Sequence, residues 1–238
     1  MKRAGETRQE TASAKEQDSL ILEKKPLSPG KRRILELLGL TSLFLALISL
    51  AIAITINFRP LYVFDISHLN ILDWVDMSKE TLLKNFDQLM AFLNNPFNQT
   101  LALPDFPMSA AGRGHFVDVK KLFLLDYGVL LVTILPAIFY LRHLQKSARL
   151  YKLVRPFQWG MGLPVVLGAL MAVGFDTFFV KFHELFFAND DWLFDPATDP
   201  IINVLPEAYF MHCFILAFLL LELFFLVMVI IGRRSLKR

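Results

Sequence analysis

Four apolar runs, near residues 34–57, 122–141, 162–180 and 208–231, decide what this chain can fold into. Each approaches the ~20 residues that a helix rising 1.5 Å per residue needs to cross ~30 Å of hydrocarbon. A mean hydropathy of +0.46 and 23 phenylalanines agree. Most of the apolar surface then faces lipid or neighbouring spans, and no large soluble core is expected. The expected class is an all-α integral membrane protein. It is read as one domain over 34–238, a bundle of four transmembrane helices with outer segments 58–121 and 181–207. A polar arm over 1–33 precedes it, rich in charge, Ser, Thr and Gln, and is expected to be disordered on the cytoplasmic side.

Orientation follows from lysine and arginine placement. Lys24, Lys25, Lys31, Arg32 and Arg33 precede the first span, and Arg233, Arg234, Lys237 and Arg238 follow the last. Lys146, Arg149, Lys152 and Arg155 fill the second connector, which has no acid. These regions are expected in the cytoplasm, with both termini inside. The last connector sets one lysine, Lys181, against six acids and is expected outside. Lys146–Arg155 either binds anionic headgroups or simply fixes topology, and the second reading is favoured. The net charge of +3 therefore calls for no nucleic-acid partner. The first run is too long for a signal peptide, and no small-x-small site leads into Asn57-Phe58-Arg59-Pro60, so it reads as a retained anchor.

The connectors carry more than a tether needs. Leu61–Val75 alternates apolar and polar residues around His68. In Lys79–Asn94, Leu82, Phe86, Leu89 and Leu93 fall at helical spacing, which predicts an amphipathic helix capped by Ser78 and ended by Asn94-Asn95-Pro96. Its apolar face either lies on the headgroup boundary or covers the bundle. The segment 182–209 holds His183, six carboxylates (Glu184, Asp190, Asp191, Asp195, Asp199, Glu207), Trp192, four phenylalanines and three prolines. His115 stands just before the second span and His183 just after the third, at matching depth. Each has acids nearby, Asp118 for His115 and Glu184, Asp190 or Asp195 for His183. A carboxylate can orient an imidazole and stabilise its charge, and imidazole suits proton transfer near neutral pH. His68, His143 and His212 read as hydrogen-bonded residues without a catalytic role.

Several chemistries fall away. There is no G-x-S-x-G elbow and no Walker A loop, and Phe187 stands where H-E-x-x-H needs its second histidine. No ligand spacing argues for a metal, and no cofactor is called for. One cysteine, Cys213, excludes an internal disulfide and reads as packing. Asp126, Asp176 and Glu222 lie in or near spans, but one acid per span makes a poor ion relay. Gly168 and Ala172 mark a close helix contact. Asn98-Gln99-Thr100 matches a glycosylation sequon, a triplet common by chance.

Two stretches together resemble a known family. HFVDVKKLF before the second span and FHELFFANDDWLFDPATDPIINVLPE before the fourth are similar to the bacterial lipoprotein intramolecular transacylases of Gram-positive cell membranes. The resemblance runs from the first span onward and omits the arm. It implies transfer of the sn-2 acyl chain of a diacylglyceryl-modified lipoprotein to the α-amino group of its N-terminal cysteine, giving the lyso-form. It makes His115 and His183 the catalytic pair, one taking the amine proton and the other protonating the sn-2 oxygen. Asp118 with Asp190 or Asp195 would orient them, Lys120 or Asn189 would stabilise an oxyanion, and Trp192 with the phenylalanines would exclude water. Asp195-Pro196 and Asp199-Pro200 serve equally well as turn formers. The expected partners are the lipoprotein substrate and membrane lipids. The competing reading is a non-enzymatic membrane protein that binds a lipid or a partner protein through its outer segments.

Overall fold

The structure, a computed structural model, describes residues 28–237. Residues 1–27 of the predicted arm lie outside them. Its contacts divide the chain after Leu38. Of the first unit only the opening turns of a helix are described; the second, Gly39–Arg238, carries all that follows.

The described residues are helical and contain no strand. In chain order the helices are α1 (Pro29–Ile56), α2 (Arg59–His68), α3 (Lys79–Asn94), α4 (Ala110–Lys146), α5 (Val154–Gly160), α6 (Gly162–Val173), α7 (Phe175–Phe186) and α8 (Glu207–Ser235), with short 3-10 turns at Ile71–Trp74, Leu150–Leu153 and Pro200–Asn203. Among the described residues four stretches are long and apolar enough to cross a membrane: Pro29–Ile56, Ala110–Lys146, Leu150–Val173 and Glu207–Ser235. The 37 residues of α4 make a rod of ~55 Å, nearly twice the hydrocarbon thickness. Its first twelve, with Arg113, Asp118, Lys120 and Lys121, therefore stand beyond the apolar run that begins at Leu122.

The third span differs from its prediction. The run 162–180 reads as one apolar span broken only by Asp176-Thr177, yet the helix ends at Val173 and restarts at Phe175 across an extended Gly174 (φ −175°, ψ 102°). Glycine is the weakest helix former after proline, and Asp176 suits the first turn of a new helix. The membrane-length stretch begins instead at Leu150, inside the region read as a basic connector. There Leu153 and Phe157 are fully buried, Phe157 stacking on Phe44 at 4.2 Å and meeting the Phe225 edge at 5.2 Å. Lys152 and Arg155 hid this burial from a hydropathy reading.

The first connector also differs in part. Leu61–Val75, which alternates in sequence, is the helix α2 followed by a 3-10 turn, entered through Asn70 in the left-handed region (φ 49°) that asparagine tolerates. The amphipathic helix is α3 over the predicted residues, and the Ser78 hydroxyl accepts from Thr81 N at 3.1 Å. Ser78→Ala is expected to cost about 1 kcal/mol of stability, read as a lower thermal midpoint in detergent with activity at permissive temperature unchanged.

The apolar face of α3 covers the bundle. Leu82, Phe86, Leu89, Phe92 and Leu93 pack with Tyr62, Ile66 and Phe116, and with Ile201, Val204 and Leu205 from the last connector. Tyr62 stacks on Phe86 at 3.9 Å and donates to the Val204 carbonyl at 2.9 Å. Both connectors thus share a small core at one end of the bundle. A second core, around Leu43, Ala137, Leu144, Phe157 and Phe225, lies among the spans.

Candidate functional site

That shared core presses the last connector against the first turns of α4, and the two histidines meet there. The His115 and His183 ring centroids are 5.7 Å apart, with planes inclined by 36°. Each residue is only 8% exposed. Aromatic rings close around them. Phe187 and Phe194 present edges to His115 at 4.8 and 5.4 Å, while Trp192 stacks on His183 at 4.8 Å.

Local geometry fixes how each ring is held. Phe179 precedes His183 by one turn of α7, and its carbonyl lies 2.7 Å from His183 Nδ1. A carbonyl can only accept, so the proton sits on Nδ1 and Nε2 carries the lone pair. His115 Nδ1 is buried with no hydrogen-bond partner. A buried N–H without an acceptor is costly, so the His115 proton belongs on Nε2. Burial lowers the pKa of His115 to about 4, aided by the neighbouring His183 and opposed by Asp118. Burial also lowers His183, with the Phe179 carbonyl pulling the other way. At neutral pH the pair is two uncharged imidazoles, one with its Nε2 free to accept and the other with Nε2–H free to donate.

The supporting residues divide into three groups. Asp118 and Asn189 come together: Asn189 Nδ2 donates to Asp118 Oδ2 at 3.0 Å, and Lys121 pairs with Oδ1 at 2.7 Å. The Lys121 and Asn189 hydrogen bonds hold the Asp118 carboxyl below its usual value, so it stays ionised beside His115. Trp192 lies on His183 as a lid. Lys120, Asp190 and Asp195 are occupied elsewhere. The Lys120 ammonium donates to the Asn98 carbonyl and sits 4.3 Å over the Phe92 ring. Asp190 has an exposed side chain and uses its carbonyl to accept from Leu193 N. Asp195 shapes a turn, its Oδ1 accepting from Ala197 N at 2.9 Å and its carbonyl from Asp199 N at 2.7 Å. Glu184 pairs with Lys181 at 2.6 Å. Among the described residues no acid bonds to His183; a backbone carbonyl does that work.

Sequence reasoning missed the clasp that joins the two connectors. Asp199 is 3% exposed. Its Oδ1 accepts from Ser109 N at 2.8 Å and its Oδ2 from the Thr198 hydroxyl at 2.7 Å. Ser109 is the N-cap of α4, its own hydroxyl accepting from Gly112 N at 2.9 Å. The clasp fits because α4 opens with Gly112-Arg113-Gly114. A Cβ at Gly112 would fall 2.2 Å from Asp199 Oδ1, and one at Gly114 2.5 Å from Asp191 Oδ2. Two glycines two apart at the mouth of a helix were the available signal. Among the described residues no group of three or more His, Cys, Asp or Glu is placed to hold a metal ion.

Comparison with known proteins places the chain in a family and a fold. The family model described as "Lipoprotein intramolecular transacylase Lit" matches residues 37–210. The membrane integral lipoprotein intramolecular transacylase from Bacillus cereus superposes with a TM-score of 0.83 at 33% identity, covering 88% of this chain and 98% of that one. Two further structures of the Bacillus cereus protein, one with a histidine replaced by arginine and one with a histidine replaced by alanine, superpose at 0.74 and 34% identity. They cover 86% of this chain and 92 and 93% of theirs. No curated protein matches significantly.

Proposed function

Since the chain belongs to the lipoprotein intramolecular transacylase family of membrane acyltransferases, we propose that it moves the sn-2 acyl chain of a diacylglyceryl-cysteine lipoprotein to the α-amino group of the same cysteine. The product is a lyso-form lipoprotein carrying an N-acyl group. The observation that carries this reading is the pair of buried, neutral imidazoles under aromatic cover. The basic clusters at 142–155 and 233–237 favour a site on the extracytoplasmic face with the termini inside.

In this mechanism His183 Nε2 takes a proton from the amine as its nitrogen attacks the ester carbonyl. His115 donates from Nε2–H to the developing oxyanion, a task for which a neutral imidazole is suited. When the tetrahedral intermediate collapses, the C–N bond is kept, the C–O bond to the glyceryl breaks, and the His183 proton passes to the sn-2 oxygen. One proton thus moves from amine to oxygen, and no resident imidazolium is required. Donor and acceptor lie in one molecule, so orientation replaces much of what a covalent nucleophile would contribute. Trp192, Phe187 and Phe194 keep out the water that would turn transfer into hydrolysis. The ionised Asp118, held by Asn189 and Lys121, stabilises the positive charge that passes across the pair.

Mass spectrometry of lipoprotein N-termini, from cells with and without this chain, tests the reading. N-acylated lyso-form should appear only with the chain. Free-amine diacylglyceryl cysteine in both samples defeats it.

The pH profile is a second expected result. His183 must be neutral to act as base, and its pKa is lowered from 6.5. Activity of the enzyme groups is therefore fully present above 6.5 and lost as pH falls through the folded value. The substrate amine, with a pKa of about 8, adds its own limb. Log kcat/KM should fall with slope one below ~8 and steepen to two only below ~6.5. A second break at or above 6.5 would contradict the buried, neutral His183.

A further inference from the structure

A second histidine pair lies outside this site. Asp65 of α2 is fully buried, and both its oxygens face His212 Nδ1 of α8, at 2.8 and 3.0 Å. The carboxylate can only accept, so Nδ1–H donates and Nε2 faces away from Asp65. The His68 ring stands 5.8 Å from that of His212 and stacks on Phe64 at 5.0 Å. His68 and Phe64 are exposed.

The pair belongs to a different side of α8 from the catalytic site. Phe210 and Phe214 turn toward Phe179 and Phe182 on the His183 side. His212, two residues from each, is rotated by ~200° at 100° per residue. Its own helix face continues through Ile215, Leu219, Leu223 and Leu226, all exposed, in a stretch of membrane length. On the other side of His212, one turn back at Ala208, begins a groove of about 340 Å³ lined by Leu69, Trp74, Ile202 and Pro206. Trp74 is 70% exposed, as tryptophans at a headgroup boundary are. Ionisable side chains at the top of a lipid-facing stripe are rare and mark a functional site.

We propose that His68 and His212, backed by Asp65, bind the phosphate of a membrane phospholipid whose acyl chains run down the Ile215–Leu226 stripe. The Asp65 carboxylate behind holds His212 by Nδ1, which leaves Nε2 of the ring to the phosphate in front. His68 supplies the second donor, and charge-assisted bonds of this kind are the strong ones. The apolar stripe commits the site to a lipid and not to free phosphate. The transacylase substrate carries no phosphate on its diacylglyceryl group, so this is a separate site, outside the reaction.

The test uses the full-length protein in detergent, with thermal stability read against added diheptanoyl phosphatidylglycerol, dioctanoylglycerol or inorganic phosphate. The phospholipid should raise the midpoint saturably, while the phosphate-free lipid and inorganic phosphate leave it unchanged. His68→Ala, an exposed position that leaves the Asp65–His212 bond intact, should weaken half-saturation by ~10-fold or more, and His212→Gln should abolish the shift. An equal shift with dioctanoylglycerol or with inorganic phosphate overturns the proposal. So does unchanged phospholipid affinity in His68→Ala.

Discussion

His183→Ala is expected to reduce kcat/KM for N-acyl transfer by about 10³-fold, the middle of the 10²–10⁴ range that general acid–base groups contribute. His115→Ala should lose a similar factor, since removing an oxyanion donor costs ~10²–10³ in kcat. His183→Gln gives a cleaner comparison. Its amide can still donate to the Phe179 carbonyl, which His183 Nδ1 meets at 2.7 Å, but it has no basic nitrogen. Activity should therefore fall as far as in the alanine variant while the thermal midpoint stays near that of the parent. Because the two rings serve one tetrahedral intermediate, the losses should be far from additive, and the double variant should be hardly worse than either single change. The assay is the mass of the lipoprotein N-terminus, followed over time with purified protein. Full activity in both single variants sinks the two-histidine mechanism.

Gly112→Ala should produce the second large effect, although the residue touches no substrate. The new Cβ would fall 2.2 Å from Asp199 Oδ1 and 3.0 Å from its carboxyl carbon. Asp199 has little freedom to yield, because Ser109 N and the Thr198 hydroxyl hold both its oxygens. The last connector must then move off α4 and take Trp192 with it. A displacement of about 1 Å at a positioned site is worth ~10²-fold in rate, and overpacking costs ~1–3 kcal/mol in stability. Gly128→Ala, on the same helix, supplies the contrast, since nothing lies within 4 Å of its Cβ. It should be neutral or stabilising by about 0.5–1 kcal/mol. Combining Gly112→Ala with Asp199→Ala should be no worse than Asp199→Ala alone. Two independent losses that add would contradict the contact.

Much of this architecture was legible because membrane physics writes it in long strokes. The first, second and fourth spans are visible as apolar runs, and α3 as a 3.6-residue stripe with its Ser78 cap. The third span was not, because Gly174 breaks the helix inside a largely apolar run, while Leu153 and Phe157 are buried close to Lys152 and Arg155. His115 and His183 could be singled out by depth, yet their contact spans 68 positions and no local pattern encodes it. The partners were harder still. Composition suggested a carboxylate for His183, where helix geometry supplies the Phe179 carbonyl one turn back. Lys120 looked free to meet an anion until its ammonium was seen bound to Asn98. His212 read as a hydrogen-bonded residue, but its partner Asp65 is 147 residues away and no local pattern names it.

The wide separations have a consequence for how the enzyme is born. Tyr62 is bonded to Val204 across 142 residues, and Ser109 to Asp199 across 90. The chain emerges N-terminal end first, so α2, α3 and the start of α4 leave the ribosome long before the residues that complete their core. Ile201, Val204 and Leu205 come just ahead of the last span. Until then the apolar face of α3 lacks part of its cover, and His115 stands without the aromatic lid that makes it neutral. On the proposed mechanism, catalytic competence should come late in biogenesis, once the last connector has closed over His115. A nascent chain of three spans is expected to be inert.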